Sequence, residues 1–186
     1  MKINTIPFFL THTYFQNHLF IFLSLFFFIH VSCKTSKNLT KENNSKSKKI
    51  EEKYAEILKV DKEKITNAKL YQLIDAWNGR PYKYGGNSKK GIDCSNFAAI
   101  IYSEIYNKTL NGSSVAIFNQ CEEISKNNLT QGDLIFFKIE STSISHVGVY
   151  LINNKFVHVT TKKGIMIDDL EDDYYKKYFY KAGRIK

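Results

Sequence analysis

The hydrophobic period of the chain changes partway along it, and that change restricts the fold more than any other feature. From Gly132 onward, short runs rich in β-branched and aromatic residues follow one another: DLIFFK (133–138), ISHVGVYLI (144–152), KFVHVT (155–160), GIMI (164–167) and YFYKAGRI (178–185). Runs of this length and composition, separated by polar breaks, read as strands, and Asn153-Asn154 sits where a turn is expected. Upstream the period is helical. NAKLYQLIDAWNG (67–79) places Leu70, Leu73, Ile74 and Trp77 on one face and ends on the stop signal Asn78-Gly79. Residues 51–65 repeat the pattern more weakly, Gly79 to Gly91 reads as a loop, and 108–132 reads as irregular. Helices first and strands afterwards predict an α+β domain with an antiparallel sheet.

The N-terminal part does not belong to that domain. Residues 1–32 hold one charge, Lys2, and end in the apolar run Leu19 to Ile29, too short for the roughly 20 residues that span a bilayer. A cationic start and a short apolar block predict an export signal. The VSC run ending at Cys33 resembles the lipobox of bacterial lipoproteins, which implies lipidation of Cys33, although His30 stands where that motif has Leu. Residues 33–50 are Lys/Ser/Asn-rich, with six Lys against one Glu from Lys34 to Ile50, and so little apolar content predicts a disordered tether. That segment carries most of the formal net charge of +9. Residues 51–186 hold 20 basic and 17 acidic side chains, so nucleic acid binding loses its support.

GIDCSNF (91–97) places a cysteine at the start of a helical pattern, directly after an aspartate suited to cap it. Phe97, Ala98, Ile101 and Ile105 form the apolar stripe of that helix. Unpaired backbone N–H groups surround the Cys94 sulfur there, and a helix N-terminus lowers a thiol's pKa, so the position is expected to acidify a nucleophile. A base and a group to orient it are then required. Once the signal segment is set aside, His146 and His158 are the only histidines, and both lie in strand-like runs. Strand alternation sets a condition on them. A two-residue turn at Asn153-Asn154 would pair Val149 with His158 and put the two imidazoles on opposite faces, so a Cys94-His146-His158 triad requires an odd-length loop or a bulge.

From Trp77 to Ile185 the pieces WNGRPYKYGG, GIDCSNF, GDLIFF, SHVGVYLINNKFVH and YKAGRI, in this order, resemble the NlpC-type cell-wall cysteine peptidases. The resemblance implies a papain-like domain over residues 51–186, with Cys94 as nucleophile, His146 as base and His158 as its orienter. It implies hydrolysis of peptidoglycan stem or crosslink peptides by a lipid-anchored, monomeric, cofactor-free enzyme of the cell envelope, facing the periplasm from the outer membrane. Positions matching Tyr82, Tyr84, Asp93 and Ser95 would line the substrate pocket, with Tyr82 near the oxyanion and Asp93 near a substrate amine. Two departures bear on substrate preference: Asn96 replaces the glycine usual after Ser, and Leu110-Asn111-Gly112 stands where relatives often have Leu-Pro-Arg.

Other readings remain open at the level of sequence. One Cys and two His also make a catalytic zinc set, although no CxxC or HExxH spacing supports it. Cys94 and Cys121 could pair in an exported wall-binding protein without activity. A related thiol amidase or acyltransferase would carry the same residues. Tyr82 and Tyr84 could simply cap the core, Ser95 could serve only the first turn, and Trp77 reads as core.

Overall fold

The computed structural model describes residues 42–185; the signal segment, Cys33 and the first part of the expected tether lie outside the described residues. The described chain begins in a helix, α1 (residues 42–58), followed by α2 (Ala68–Trp77), α3 (Cys94–Tyr106), α4 (Ser114–Phe118) and α5 (Asp173–Tyr178). Residues 42–50 are therefore helical where composition predicted disorder. No Gly or Pro interrupts them, and they run straight into the stripe Ile50, Tyr54 and Leu58, each buried, whose packing stabilises the helix from its C-terminal side. A compact unit begins at Lys49.

The described residues also hold eight strands: β1 (Asn87–Ser88) and β2 (Gly91–Ile92) between α2 and α3, then β3 (Cys121–Ile124), β4 (Leu134–Phe137), β5 (His146–Tyr150), β6 (Lys155–Thr160), β7 (Gly164–Asp169) and β8 (Phe179–Ile185). The first two form a small hairpin, and the other six an antiparallel sheet in the order β3-β8-β4-β5-β6-β7. This is the α+β, papain-like arrangement the sequence implied. Residues 108–132, read as irregular, contain α4 and β3. β3 is the short edge strand CEEI, whose two glutamates are exposed, so its alternation is too brief to register as a strand until β8 pairs with it.

The sheet has two apolar faces. Leu134, Phe136, Val147, Val149, Val157 and Val159 pack with the helices, including Leu70, Ile74, Phe97 and Ile101, while Ile135, Phe137, Tyr150, Phe156 and Tyr175 form a second cluster. Trp77 packs against Phe97 with ring centroids 6.0 Å apart, as expected of a core residue. Helix α3 rests on β5 and β6, which brings its first turn to the start of β5. At the far edge the buried Asp133 accepts hydrogen bonds from Arg184 Nε at 2.7 Å and Nη2 at 2.8 Å, tying β8 beside β4.

The β5–β6 connection decides where the histidines point. Val149 pairs with Val157 and Tyr150 with Phe156, and Leu151 N donates to Lys155 O. The loop is thus Ile152-Asn153-Asn154, odd in length, and the alternation condition is met: His146 and His158 fall on the same face. Asn153 and Asn154 both adopt left-handed backbone, φ 53° and 60°, which asparagine tolerates better than other non-glycine residues. Replacing Asn154 with Gly should leave stability nearly unchanged, whereas Asn154→Val should cost about 1–2 kcal/mol, read from denaturant midpoints.

Candidate active site

Asp93 caps α3, and its side chain is held by four donors from the protein itself. Oδ1 accepts from Asn96 N at 2.8 Å and Ser95 Oγ at 2.9 Å; Oδ2 accepts from Gly85 N at 3.0 Å and Asn96 Nδ2 at 3.2 Å. Asn96 Nδ2 also donates to Gly86 O at 3.0 Å. The side chain at the position where glycine is usual therefore fastens the glycine loop to the helix start. That loop lies close: a Cβ on Gly86 would stand 2.4 Å from Gly91 O, so a larger residue would push the wall outward.

Cys94 is the first residue of α3 and is half-buried. Burial raises its thiol above the ordinary value of 9.0; backbone hydrogen bonds from Val147, Ser95 and Cys94 itself pull it down, and the Asp93 charge adds to the rise. The expectation of a sulfur acidified by the helix start is thus corrected. Three backbone donors do face it, but desolvation and the capping carboxyl outweigh them. The Val147 contact places the sulfur beside the residue that follows His146. Cys121 is also free, and no disulfide joins the two, which removes the pairing reading.

His146 and His158 meet directly. Nε2 of His146 lies 2.7 Å from Nδ1 of His158, a hydrogen-bond distance that needs a single proton between the two nitrogens. The same contact argues against a shared zinc, because both nitrogens face one another instead of a common point. Among the described residues no group of three His, Cys, Asp or Glu side chains is arranged to hold a metal ion. Burial, and then the neighbouring His158, bring His146 down to about 3. Burial thus works against charge on both groups, raising the thiol and lowering the imidazole.

Two residues that the sequence reading did not single out complete the constellation. His158 Nε2 lies 2.8 Å from Asp168 Oδ2, and the Tyr175 hydroxyl donates to the same oxygen at 2.6 Å. Met166 pairs with His158, so Asp168, two residues farther along β7, shares its face. The available signal was alternation within GIMIDD, which sends Asp168 to one face and Asp169 to the other, where Asp169 pairs with Lys155.

Cys94 lies between two depressions. One, of about 270 Å³, is lined by Tyr82, Cys94, His146, His158, Thr160 and Tyr174; the other, of about 360 Å³, by Tyr82, Tyr84, Asp93, Cys94, Ser95 and Asn96. All seven site residues expected of the folded part thus line these cavities, although Ser95 Oγ is engaged with Asp93. Tyr84 is 88% exposed at the rim and does not cap the core, whereas Tyr82 is half-buried and bridges to Ile92. Burial, then Cys94 and Asp93, raise the Tyr82 hydroxyl, which therefore stays an O–H donor.

Two outcomes follow from these charges. Between pH 6.5 and about 3 the unfolded chain holds a proton on residue 146 that the folded protein lacks. Stability is therefore complete above 6.5 and falls with descending pH, by about 1.4 kcal/mol per pH unit from this group. His146→Gln should remove that component from the pH dependence of the denaturation midpoint. In a Cys121→Ser background, alkylation of Cys94 by iodoacetamide should be slow at pH 7 and keep rising past pH 9; a plateau reached below neutral would contradict a thiol raised by burial.

Residues 79–184 match the NlpC/P60 family. The probable endopeptidase NlpC of Escherichia coli K12 is 37% identical over 119 residues, covering 63% of this chain and 77% of that protein. The murein DD-endopeptidase and LD-carboxypeptidase MepS of the same organism is 38% identical over 109 residues, and the match spans 59% of this chain but only 57% of MepS. Among solved structures, an NlpC/P60 family protein from Bacillus cereus superposes with a TM-score of 0.56 at 28% identity, over 62% of this chain and 38% of that one. RipD of Mycobacterium tuberculosis, described as a non-catalytic NlpC/p60 domain adapted to peptidoglycan binding, shares the fold at 16% identity and a TM-score of 0.51, over 63% and 95% of the two chains. More than half of the chain is covered by the family match, including the thiol, both imidazoles and the glycine loop, and the chain belongs to the NlpC/P60 family.

Proposed function

We propose that this protein is a cysteine endopeptidase that hydrolyses the stem or crosslink peptides of peptidoglycan through Cys94, His146 and His158. The observation that carries this reading is the position of the thiol between two depressions, in the wall that also holds the paired histidines. A peptide lying across both depressions brings an internal carbonyl to the sulfur, as cleavage within a chain requires. The murein and peptidoglycan endopeptidase names of the relatives support the substrate class.

In this mechanism His146 takes the Cys94 proton on the ring nitrogen that does not face His158. The thiolate attacks the carbonyl carbon, and the oxyanion is held by backbone N–H groups at the start of α3 and by the Tyr82 hydroxyl. The imidazolium returns its proton to the leaving amine, and water activated by His146 releases the acyl group from sulfur. Because burial opposes charge on both thiol and imidazole, the ion pair forms in the course of the reaction, in a pocket from which substrate displaces water. Asp93, fixed by its four donors, faces the second depression as the partner of a substrate amine, and Tyr84 offers its exposed ring at the rim. No step calls for a metal or an organic cofactor.

The inferred setting is the cell envelope. Lipidation of Cys33 would anchor a monomer in the outer membrane, with the segment that follows holding the domain toward the wall from the periplasmic side.

The test is digestion of purified peptidoglycan by the protein and by its Cys94→Ala form, with products identified by mass spectrometry. New peptide termini are expected only with the intact thiol, and identical product profiles would refute the peptidase reading. Tyr82→Phe should lower kcat on the order of 10²-fold, the cost of one lost oxyanion donor.

A further inference from the structure

The histidine pair raises a question of direction. A hydrogen bond between two imidazoles works in either sense, and only one sense leaves His146 able to take a proton from the thiol. We propose that Asp168, steadied by Tyr175, is the positioning residue that sets this sense by fixing the tautomers of both histidines. The inference rests on the assignment of Cys94 and His146 above and extends it to the far side of the site.

His158 is 2% exposed, so its two ring nitrogens depend on protein partners. Nε2 meets Asp168 Oδ2 at 2.8 Å. Burial pushes the Asp168 carboxyl up, but the hydrogen bonds from His158 and Tyr175 outweigh it and hold the group below the ordinary carboxyl value. An ionised carboxylate only accepts, so the proton between the two groups belongs to Nε2 of His158. The Tyr175 hydroxyl is 2.6 Å from Asp168 Oδ2 and 3.3 Å from His158 Nε2, so its hydrogen goes to the carboxylate as well. Were Tyr175 to donate to Nε2 instead, the lone pair of that nitrogen would be lost to the tyrosine while its carboxylate neighbour kept no proton between them.

With its one proton on Nε2, His158 presents a bare Nδ1. The contact at 2.7 Å is then made by a proton on Nε2 of His146, and Nδ1 of His146 is left as a lone pair. That is the base the thiol needs. When His146 takes the sulfur's proton on Nδ1, the proton on its Nε2 can move toward His158, whose Nε2–H already faces a carboxylate. The positive charge is stabilised across two rings, and Asp168 stays ionised throughout.

Packing supports a dedicated role for this arrangement. The His158 ring lies between Phe156 and Tyr175, with centroids 4.7 and 5.4 Å away, and both rings belong to the second apolar cluster. Asp168 is therefore the carboxyl group that an otherwise aromatic wall admits beside His158.

The experiment is side-chain ¹H–¹⁵N correlation NMR on the full chain, with the two rings assigned from His146→Gln and His158→Gln spectra. At neutral pH both rings should carry their proton on Nε2 and show an unprotonated Nδ1. Asp168→Asn should mix or invert these tautomers and lower kcat on the order of 10²-fold with KM little changed, less than the roughly 10⁴-fold seen where an orienting carboxylate contacts the base directly. Tyr175→Phe, which removes one donor and keeps the ring, should show the same changes in smaller degree, and Asp168→Glu should restore part of the rate. A wild-type His146 protonated on Nδ1, or a doubly protonated His158, would overturn the proposal, as would an Asp168→Asn protein with unaltered tautomers and kcat. If Asp168→Asn does not fold, the wild-type spectrum and Tyr175→Phe decide. The spectra need no substrate, so they stand apart from the digestion experiment: a chain that cleaves nothing refutes the peptidase reading whatever its tautomers are.

Discussion

A single short contact, the 2.7 Å hydrogen bond between two imidazoles, organises this molecule. It exists because the β5–β6 loop has an odd number of residues, and that count depends on two consecutive asparagines in left-handed backbone. One residue fewer would send Val157 and Val159 away from the helices and turn His158 to the wrong face, so core and site are specified by the same register. Catalytic geometry and fold stability are not separable here. An error in the loop that misplaced the histidine would also expose the apolar strand that packs on α3.

The electrostatics differ from the picture of a helix start that acidifies its first side chain. Three backbone donors surround the Cys94 sulfur, yet burial and the Asp93 charge leave the thiol above its ordinary value. His146 is pushed the other way by the same burial. Desolvation acts against whichever form is charged, so it raises an acid and lowers a base. In the proposed mechanism the thiolate forms as the imidazolium that takes its proton is stabilised. The hydrogen-bonded second ring, with a carboxylate behind it, would serve that end.

Much of the architecture was legible because its signals were long or paired. Leu70, Ile74 and Trp77 define α2 by spacing alone, Asp93 marks the start of α3, and the five apolar runs after Gly132 became strands. The contact between His146 and His158 was reachable because the folded part offers only two histidines and alternation limits how they can meet. What escaped was short or non-local. β3 is four residues long with two exposed glutamates, and α5 is a six-residue turn of DYYKKY that lacks an apolar stripe of its own. Asp168 went unnoticed because alternation within GIMIDDL separates the two aspartates without saying which of them shares a face with His158; that appears only once Met166 is seen opposite His158. The helix over residues 42–50 escaped for a related reason, since its stabilising contacts lie downstream at Ile50, Tyr54 and Leu58.

Asn96 shows how a departure from the family pattern alters the cleft without altering its chemistry. A glycine there would remove this side-chain amide from Gly86 O and from Asp93 Oδ2, and the loop would be tied to Asp93 only through Gly85 N on the carboxyl and Gly86 O on the Asp93 backbone N–H. The asparagine amide instead ties loop and cap together, so the wall that carries Tyr82 and Tyr84 is braced against the residue beside the nucleophile. Bracing lowers the entropy lost when a substrate orders that wall. It also limits how far the wall can yield to a bulky residue, because Gly86 already lies against Gly91 with no room for a side chain. The braced loop on this side and the aromatic wall behind His158 on the other give the depressions beside Cys94 two walls with little freedom to yield.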